Sequence, residues 1–438
     1  MTISHKTQPA ESLHGTIRVA SDKSISHRSL IFSALADGQS RVKHLLLGED
    51  VLCTLTMLNQ LGVKTSHSAK TLTAADELVL EGVGVHGLKE SNELLYCGNS
   101  GTTMRLMLGL LSGQSFVSRL TGDEYLNKRP MERVMKPLTQ MGAQFSVTQE
   151  GDQRIITVQP SKKLQGISYA SPVASAQVKS CLILAGLYAD GITSVSEPSL
   201  SRNHTEIMLQ AQGAPLAIKD LTVSVTKTQN LKPLNITVPA DISSAAFFIV
   251  AALITPNSDL LIQDVCLNPT RTGLLDILKA MGAHIEIIDE RFVGGEVVGD
   301  LRVKTSKLKN VAVGGAVIPR LIDEIPVLTL AAALAEGQMV LTDAGELRVK
   351  ETDRIKAICS EMTKLGVAIQ ETKDGFILTG RAKLEQPSVD FKSYGDHRMA
   401  MTEMIAGLVL DQSVMIDDVA CVQTSFPEFF ELLGKIRN

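Results

Sequence analysis

Tryptophan is absent from these 438 residues and aromatic side chains make up only 4% of them, so the core has to be built from Ala, Leu, Ile, Val and Met. The six cysteines, Cys53, Cys97, Cys181, Cys266, Cys359 and Cys421, stand singly, with no Cys-x-x-Cys pair. They read as small, reduced core residues. The nine histidines show no His-x-x-x-His spacing, and no metal site is expected. The longest apolar run, Ala245–Ile254, is about half of what a membrane crossing needs. Met1–Glu11 is polar and has no apolar stretch of the kind that directs secretion, so the expected location is cytoplasmic. With a net charge of −4 and no RNA-binding signature, the chain offers no general field for nucleic acid.

What is present is a repeated opening. Ser21–Arg28 reads Ser-Asp-Lys-Ser-Ile-Ser-His-Arg, between a strand-like run, Thr16–Val19, and an apolar helical run, Leu30–Leu35. A helix starting there turns its free N–H groups and its dipole toward an anion such as phosphate or carboxylate. Lys23, in the first turn, gains nothing from the dipole and is better explained by a ligand; a solvated helix start would read the same way.

The pattern of polar opening, apolar helix, strand, amphipathic helix and closing glycine occurs six times. The openings are Ser21, Gly98, Ser175, Asp241, Asp323 and Gly395. The closures carry Gly62, Gly142, Gly213, Gly282, Gly366 and Gly434, where glycine suits a helix C-cap. Successive openings lie 77, 77, 66, 82 and 72 residues apart, too long for a solenoid and suited to a βαβαβ-type unit. A chain of this length exceeds one core, so two domains of three units are expected, with the crossing near Thr237–Asp241.

Within the second unit Gly98–Arg105 lets a ligand approach the backbone, with Thr102 and Arg105 on one helical face, and Arg129 precedes a helix-initiating Pro130. The third opens on Ser175-Ala176-Gln177-Val178-Lys179-Ser180, and Arg202 stands before a helix that Asn203 or Thr205 is placed to cap. The fifth places Asp323 and Glu324 ahead of a helix, then Lys350 and Arg354 at i, i+4 with Glu351 three residues before Arg354. An ordinary salt-bridged helix start has the same pattern. The sixth opens on Gly395-Asp396-His397-Arg398.

In this order, Ser21–Arg28, Asn99–Arg105, Leu347–Arg354 and Asp396–Met401 resemble signatures of the 5-enolpyruvylshikimate-3-phosphate synthase family, and the likeness covers essentially the whole chain. Ser175–Lys179, Arg202–Glu206 and Asn268–Arg271 are similar to the variant typified by glyphosate-tolerant bacterial members. The resemblance implies an α/β fold, a two-domain inside-out α/β barrel of six βαβαββ-type units, with one domain over 20–239 and the other over 1–19 and 240–438. It implies transfer of the enolpyruvyl group of phosphoenolpyruvate to the 5-hydroxyl of shikimate 3-phosphate, releasing phosphate, in aromatic amino acid and chorismate biosynthesis. It implies no cofactor, no membrane or nucleic-acid partner, a monomer, and inhibition by glyphosate at the phosphoenolpyruvate site.

Residue by residue, the resemblance gives Lys23, Ser24, Arg28, Ser175, Ala176, Gln177, Arg202, Asp323 and Lys350 to shikimate 3-phosphate. It gives Lys23, Gly101, Arg129, Gln177, Arg354 and Arg398 to phosphoenolpyruvate. Asp323 is the implied base toward the 5-hydroxyl, and Glu351 and Lys23 are the implied proton donors. Two departures stand out: Ala176 replaces a serine of some members, and Thr424-Ser425-Phe426-Pro427 lacks a lysine that some carry just before Thr-Phe-Pro.

Overall fold

The computed structural model describes residues 4–67, 71–161, 163–381, 384, 390–410 and 413–437; Met1–Ile3, the start of the polar N-terminal stretch, lie outside them. Helices follow all six openings: α1 (Lys23–Ala34), α2 (Gly101–Leu111), α3 (Ala176–Gly186), α4 (Ile242–Ile254), α5 (Ile325–Leu334) and α6 (His397–Ala406). Four openings cap their own helices, with Ser100, Ser175, Asp241 and Asp396 accepting from the N–H groups of Thr103, Val178, Ser243 and Arg398. Each such cap contributes about 1 kcal/mol.

These helices are buried on nearly every side. Every residue of α1 from Ile25 to Ala34 is buried, as is α4 from Ile242 to Leu253 and the whole of α6. A helix covered all round is interior, and the sheets lie outside. Phe247, Phe248, Phe426, Phe429 and Phe430 form one cluster, in which the Phe248 ring is tilted against Phe426 at 5.9 Å and Phe429 at 5.5 Å between ring centroids. The cysteines are all reduced; Cys53 and Cys421 are only half-buried, so the expectation of core positions fails for those two.

Further helices sit at the closures. Glu49–Gln60, Glu132–Gln140, His204–Ala211, Gly273–Ala280 and Arg354–Lys364 each end two residues before a glycine of positive φ, with Gly62 at 95°, Gly142 at 102°, Gly213 at 77°, Gly282 at 93° and Gly366 at 72°. That left-handed turn stops the helix and leads into the next strand. The sixth closure departs from the pattern, because Gly434 lies inside the helix Phe429–Ile436. Pro130 also sits differently, ahead of the capping position of Glu132–Gln140 rather than in its first turn.

Among the described residues, six sheets accompany the six units. In the first three, a parallel pair adjoins antiparallel ones: Asn235–Thr237 runs parallel to Asp37–Lys43, Leu95–Tyr96 to Ser118–Thr121, and Ser168–Ala170 to Ile192–Ser196. A parallel pair needs a crossover, which α2 and α3 supply in the second and third sheets; in the first, the two strands are joined only through the rest of that unit of the chain. The fourth sheet takes its parallel strand, His14–Ile17, from near the N-terminus, pairing with Asp259–Cys266. In the sixth, His5–Thr7 pairs antiparallel with Val414–Ile416, itself parallel to Asp390–Phe391. The chain divides into two compact units, one of Lys23–Val238 with Val293–Gly295, the other of Met1–Asp22, Pro239–Phe292 and Glu296–Asn438.

One buried acid stands apart. Glu403 in α6 is fully buried and neither carboxylate oxygen has a hydrogen-bond partner. Burial, then Glu361 and Asp417, push its pKa well above 4.5, with Lys364 opposing. A carboxyl whose pKa rises on folding keeps its full stability below the unfolded value and loses it as pH climbs toward the folded one. Glu403→Gln should therefore match the parent near pH 4 and be more stable at pH 8; urea midpoints that stay equal across that range would sink this assignment of a neutral acid.

Candidate active site

In the unit of Lys23–Val238, the cations of the openings rest on specific partners. Lys23, the first residue of α1, pairs with Asp50 at 3.0 Å from the helix Glu49–Gln60. Half-buried Ser24 follows it, and its carbonyl accepts from Arg28 Nη1 at 3.0 Å. Arg28 also donates through Nε to Thr205 Oγ1 at 2.7 Å and through Nη2 to Ser180 Oγ at 2.8 Å. Thr205 thus lies inside its helix and serves Arg28; Asn203 holds the capping position without a side-chain bond to the helix. Between Lys23 and Arg28, His27 shares a 2.8 Å hydrogen bond with Thr54 Oγ1. Burial first, then the Lys23 and Arg28 charges, hold its pKa well below 6.5, so it stays neutral beside them.

Gln177 joins α3 to α2, accepting from Arg105 Nη1 and donating to Thr102 Oγ1 at 3.0 Å. One side chain therefore spans the helical face shared by Thr102 and Arg105. Arg129 reaches the same helix start by donating to Asn99 Oδ1. A Cβ on Gly101 would lie 2.8 Å from Arg105 Nη1 and 3.2 Å from Arg129 Nη1, so glycine leaves these guanidinium groups room. Ser175 caps α3, Ala176 is its first residue, and Arg202 sits half-buried in the segment before His204–Ala211.

The other unit gathers its candidate residues into one ion cluster. Arg354 is 1% exposed and bonds Asp396 at 2.8 Å, Glu351 at 2.6 Å and Asp323 at 3.2 Å. Burial opposes its charge, but Asp396, Glu351 and Asp323 outweigh that and hold its pKa above the ordinary value. Two more cations approach Asp323, Lys350 at 3.2 Å and Arg398 at 3.9 Å. The i, i+4 alignment of Lys350 with Arg354 does not form: Asp353 caps the helix, which begins only at Arg354, and Lys350 is extended after the turn Gly345–Val349. Glu324 likewise is no dipole-facing surface acid; it is buried and accepts a hydrogen bond from Ser243. Arg271 is buried as well, bridging Asp22 at 3.0 Å and Asp241 at 2.9 Å.

Sequence reasoning missed Asp50, Ser180, Thr205 and the role of Asp396 as a partner of Arg354. Asp396 was visible as an opening residue, but nothing local announces a partner 42 positions away. Among the described residues no group of three or more His, Cys, Asp or Glu side chains could hold a metal ion. Each unit by itself offers cations at or near helix starts, where small anions are favoured, and the unit that holds Arg354 adds the partly exposed carboxylates of Asp323 and Glu351, groups able to exchange protons.

Sheets outside, buried helices inside and polar helix starts are the fold of the enolpyruvyl transferases, and the structure matches the enolpyruvyl transferase NikO from Streptomyces tendae with a TM-score of 0.78 at 15% identity, covering 98% of this chain and 96% of that one. The chain belongs to the EPSP synthase (3-phosphoshikimate 1-carboxyvinyltransferase) family, whose model matches residues 7–433. It is 50% identical over 429 residues to the 3-phosphoshikimate 1-carboxyvinyltransferase of Citrifermentans bemidjiense, covering 98% of both chains. With the enzyme of the same name from Geobacter sulfurreducens it shares 49% over 434 residues, 99% of both. The EPSP synthase structure from Acinetobacter baumannii superposes with a TM-score of 0.86 at 43% identity, over 99% of this chain and 98% of that one.

Asp396 both caps α6 and neutralises buried Arg354. Asp396→Ala should cost about 3–5 kcal/mol, as when one partner of a buried pair is removed. Asp396→Asn, which keeps the cap, should cost less. An alanine variant whose denaturation midpoint matches the parent would show that Arg354 needs no such partner.

Proposed function

We infer that the chain catalyses transfer of the enolpyruvyl group of phosphoenolpyruvate to the 5-hydroxyl of shikimate 3-phosphate, releasing phosphate. Full-length membership of the EPSP synthase family carries this reading. Both substrates are small anions, and the helix starts bearing Lys23, Arg28 and Arg398 are where anions are favoured.

The proposed division of labour keeps shikimate 3-phosphate with Ser24, Arg28, Ser175, Ala176, Gln177 and Arg202, joined by Lys23, Asp323 and Lys350. Phosphoenolpyruvate is proposed to meet Lys23, Gly101, Arg129, Gln177, Arg354 and Arg398. Asp396, Glu351 and Asp323 engage four of the five N–H donors of Arg354, so a substrate carboxylate or phosphate that takes more than the remaining Nη1 N–H does so in exchange for Asp323 or Glu351. Such an exchange would release a carboxylate at the moment a proton acceptor is needed. In the reaction a proton adds to the methylene carbon, the 5-oxygen bonds the adjacent carbon as its own proton leaves, and loss of phosphate together with a methyl proton restores the double bond. We assign Asp323 to the hydroxyl proton, and Glu351 and Lys23 to the protons at carbon and at the departing phosphate. The proposal includes a cytoplasmic monomer without nucleic-acid partners, in keeping with the net charge of −4, and glyphosate as an inhibitor. Among the described residues no helix is long and apolar enough to cross a membrane.

A coupled assay of phosphate release tests the activity: turnover is expected with shikimate 3-phosphate and none with UDP-N-acetylglucosamine, and the reverse would overturn the reading. Asp323→Asn and Glu351→Gln should each lower kcat by about two to four orders of magnitude while circular dichroism stays unchanged. Turnover within a few-fold of the parent removes that residue from the mechanism. Gly101→Ala, pressing a methyl on Arg105 and Arg129, should raise the KM for phosphoenolpyruvate and the glyphosate inhibition constant about tenfold or more. Unchanged constants would mean that Gly101 does not shape that subsite.

A further inference from the structure

Two buried polar layers tie α3 to the helix His204–Ala211. One is the Arg28, Ser180 and Thr205 triangle, closed by a 2.7 Å hydrogen bond between the two hydroxyls. The other lies one residue along: Lys179 Nζ stands 2.8 Å from Glu197 Oε2 and 2.8 Å from Glu206 Oε1, with all three side chains at most 2% exposed. Stripping three charged groups of water is costly, and apolar residues could join two helices more cheaply.

The distinctive feature is where Glu197 spends its remaining lone pairs. Oε1 accepts the backbone N–H of Ser175 at 2.9 Å and the hydroxyl of Ser201 at 2.7 Å, with Oε2 2.8 Å from the same hydroxyl. A single carboxylate thereby fixes the start of α3 against the segment that carries Arg202. Lys179 reaches that segment too, 3.5 Å from the Ser201 carbonyl. Gln177 is held separately, by Arg105 and Thr102.

We propose that Glu197, neutralised by Lys179, is a positioning residue for shikimate 3-phosphate: it sets the separation between the Ser175 opening and Arg202, so that both meet one sugar phosphate. This rests on the assignment of Ser175 and Arg202 under the proposed function. Residues assigned to phosphoenolpyruvate alone make no contact with this carboxylate in the bonds described, so its loss should fall on one substrate.

Steady-state kinetics and calorimetric titration with shikimate 3-phosphate, on the full chain, test this. Glu197→Gln keeps an acceptor but not the charge, and should raise the KM and Kd for shikimate 3-phosphate about ten- to hundredfold, as a misplaced contact does, leaving the KM for phosphoenolpyruvate nearly unchanged. Glu197→Ala should be worse, so that glutamine acts as a partial rescue. Ser201→Ala, which preserves the ion trio, should raise the shikimate 3-phosphate constants by a smaller factor and decides the matter if the Glu197 variants fail to fold. Equal rises in both KM values, or an unchanged shikimate 3-phosphate KM in a folded variant, would overturn the proposal. An active parent with such a variant sinks this inference alone; a parent that releases no phosphate sinks the functional reading and this inference with it.

Discussion

The dipole of a helix already places about half a positive charge at its first turn, and this chain adds Lys23, Arg28, Arg354 and Arg398 at or near such turns. Within each unit such a charge is opposed by the dipole of the helix start that carries it. Each has local partners: Asp50 for Lys23, the hydrogen-bonding hydroxyls of Ser180 and Thr205 for Arg28, the carboxylates of Asp396, Glu351 and Asp323 for Arg354, and Asp323 at 3.9 Å for Arg398. His27, kept neutral by burial and by its cationic neighbours, belongs to the same arrangement.

The same compensation explains why catalytic candidates and structural ion pairs are the same groups here. Asp323 accepts from Lys350 and Arg354 in the resting structure, and Glu351 from Arg354. A carboxylate bonded to a cation is a weak base until that cation is drawn elsewhere. Under the proposed function that group is a substrate carboxylate or phosphate, which would couple binding to activation.

Much of the architecture is written locally and could be read from the chain. Caps such as Ser100, Ser175, Asp241 and Asp396 act within three residues, and glycines 62, 142, 213, 282 and 366 act on the turn they occupy. Six recurrences of these signals revealed six units. The partners were not legible, because they come from other elements: Glu197 meets Lys179 from the end of a strand, and Asp396 meets Arg354 from the next opening. Lys350 was misread for a related reason, since its spacing from Arg354 suggested a helix that Asp353 in fact starts three residues later. Gly434 shows the converse, a local signal overruled by a terminal helix that packs Phe429 and Leu433 inward.

The sheet pairings also dictate an order of assembly. His5 lies opposite Ile416, and His14 opposite Asp259, so these early strands have no partners until most of the chain exists. At ribosomal speeds of about 5–20 residues per second, the first of them waits on the order of half a minute. Meanwhile Lys23–Val238 can complete nearly all of its own contacts. The waiting strands read His-Lys-Thr and His-Gly-Thr-Ile, short and mostly polar, a composition that tolerates water and resists pairing with strangers. What is a closing seam in the finished enzyme is, during synthesis, a loose thread that must stay soluble until its far end arrives.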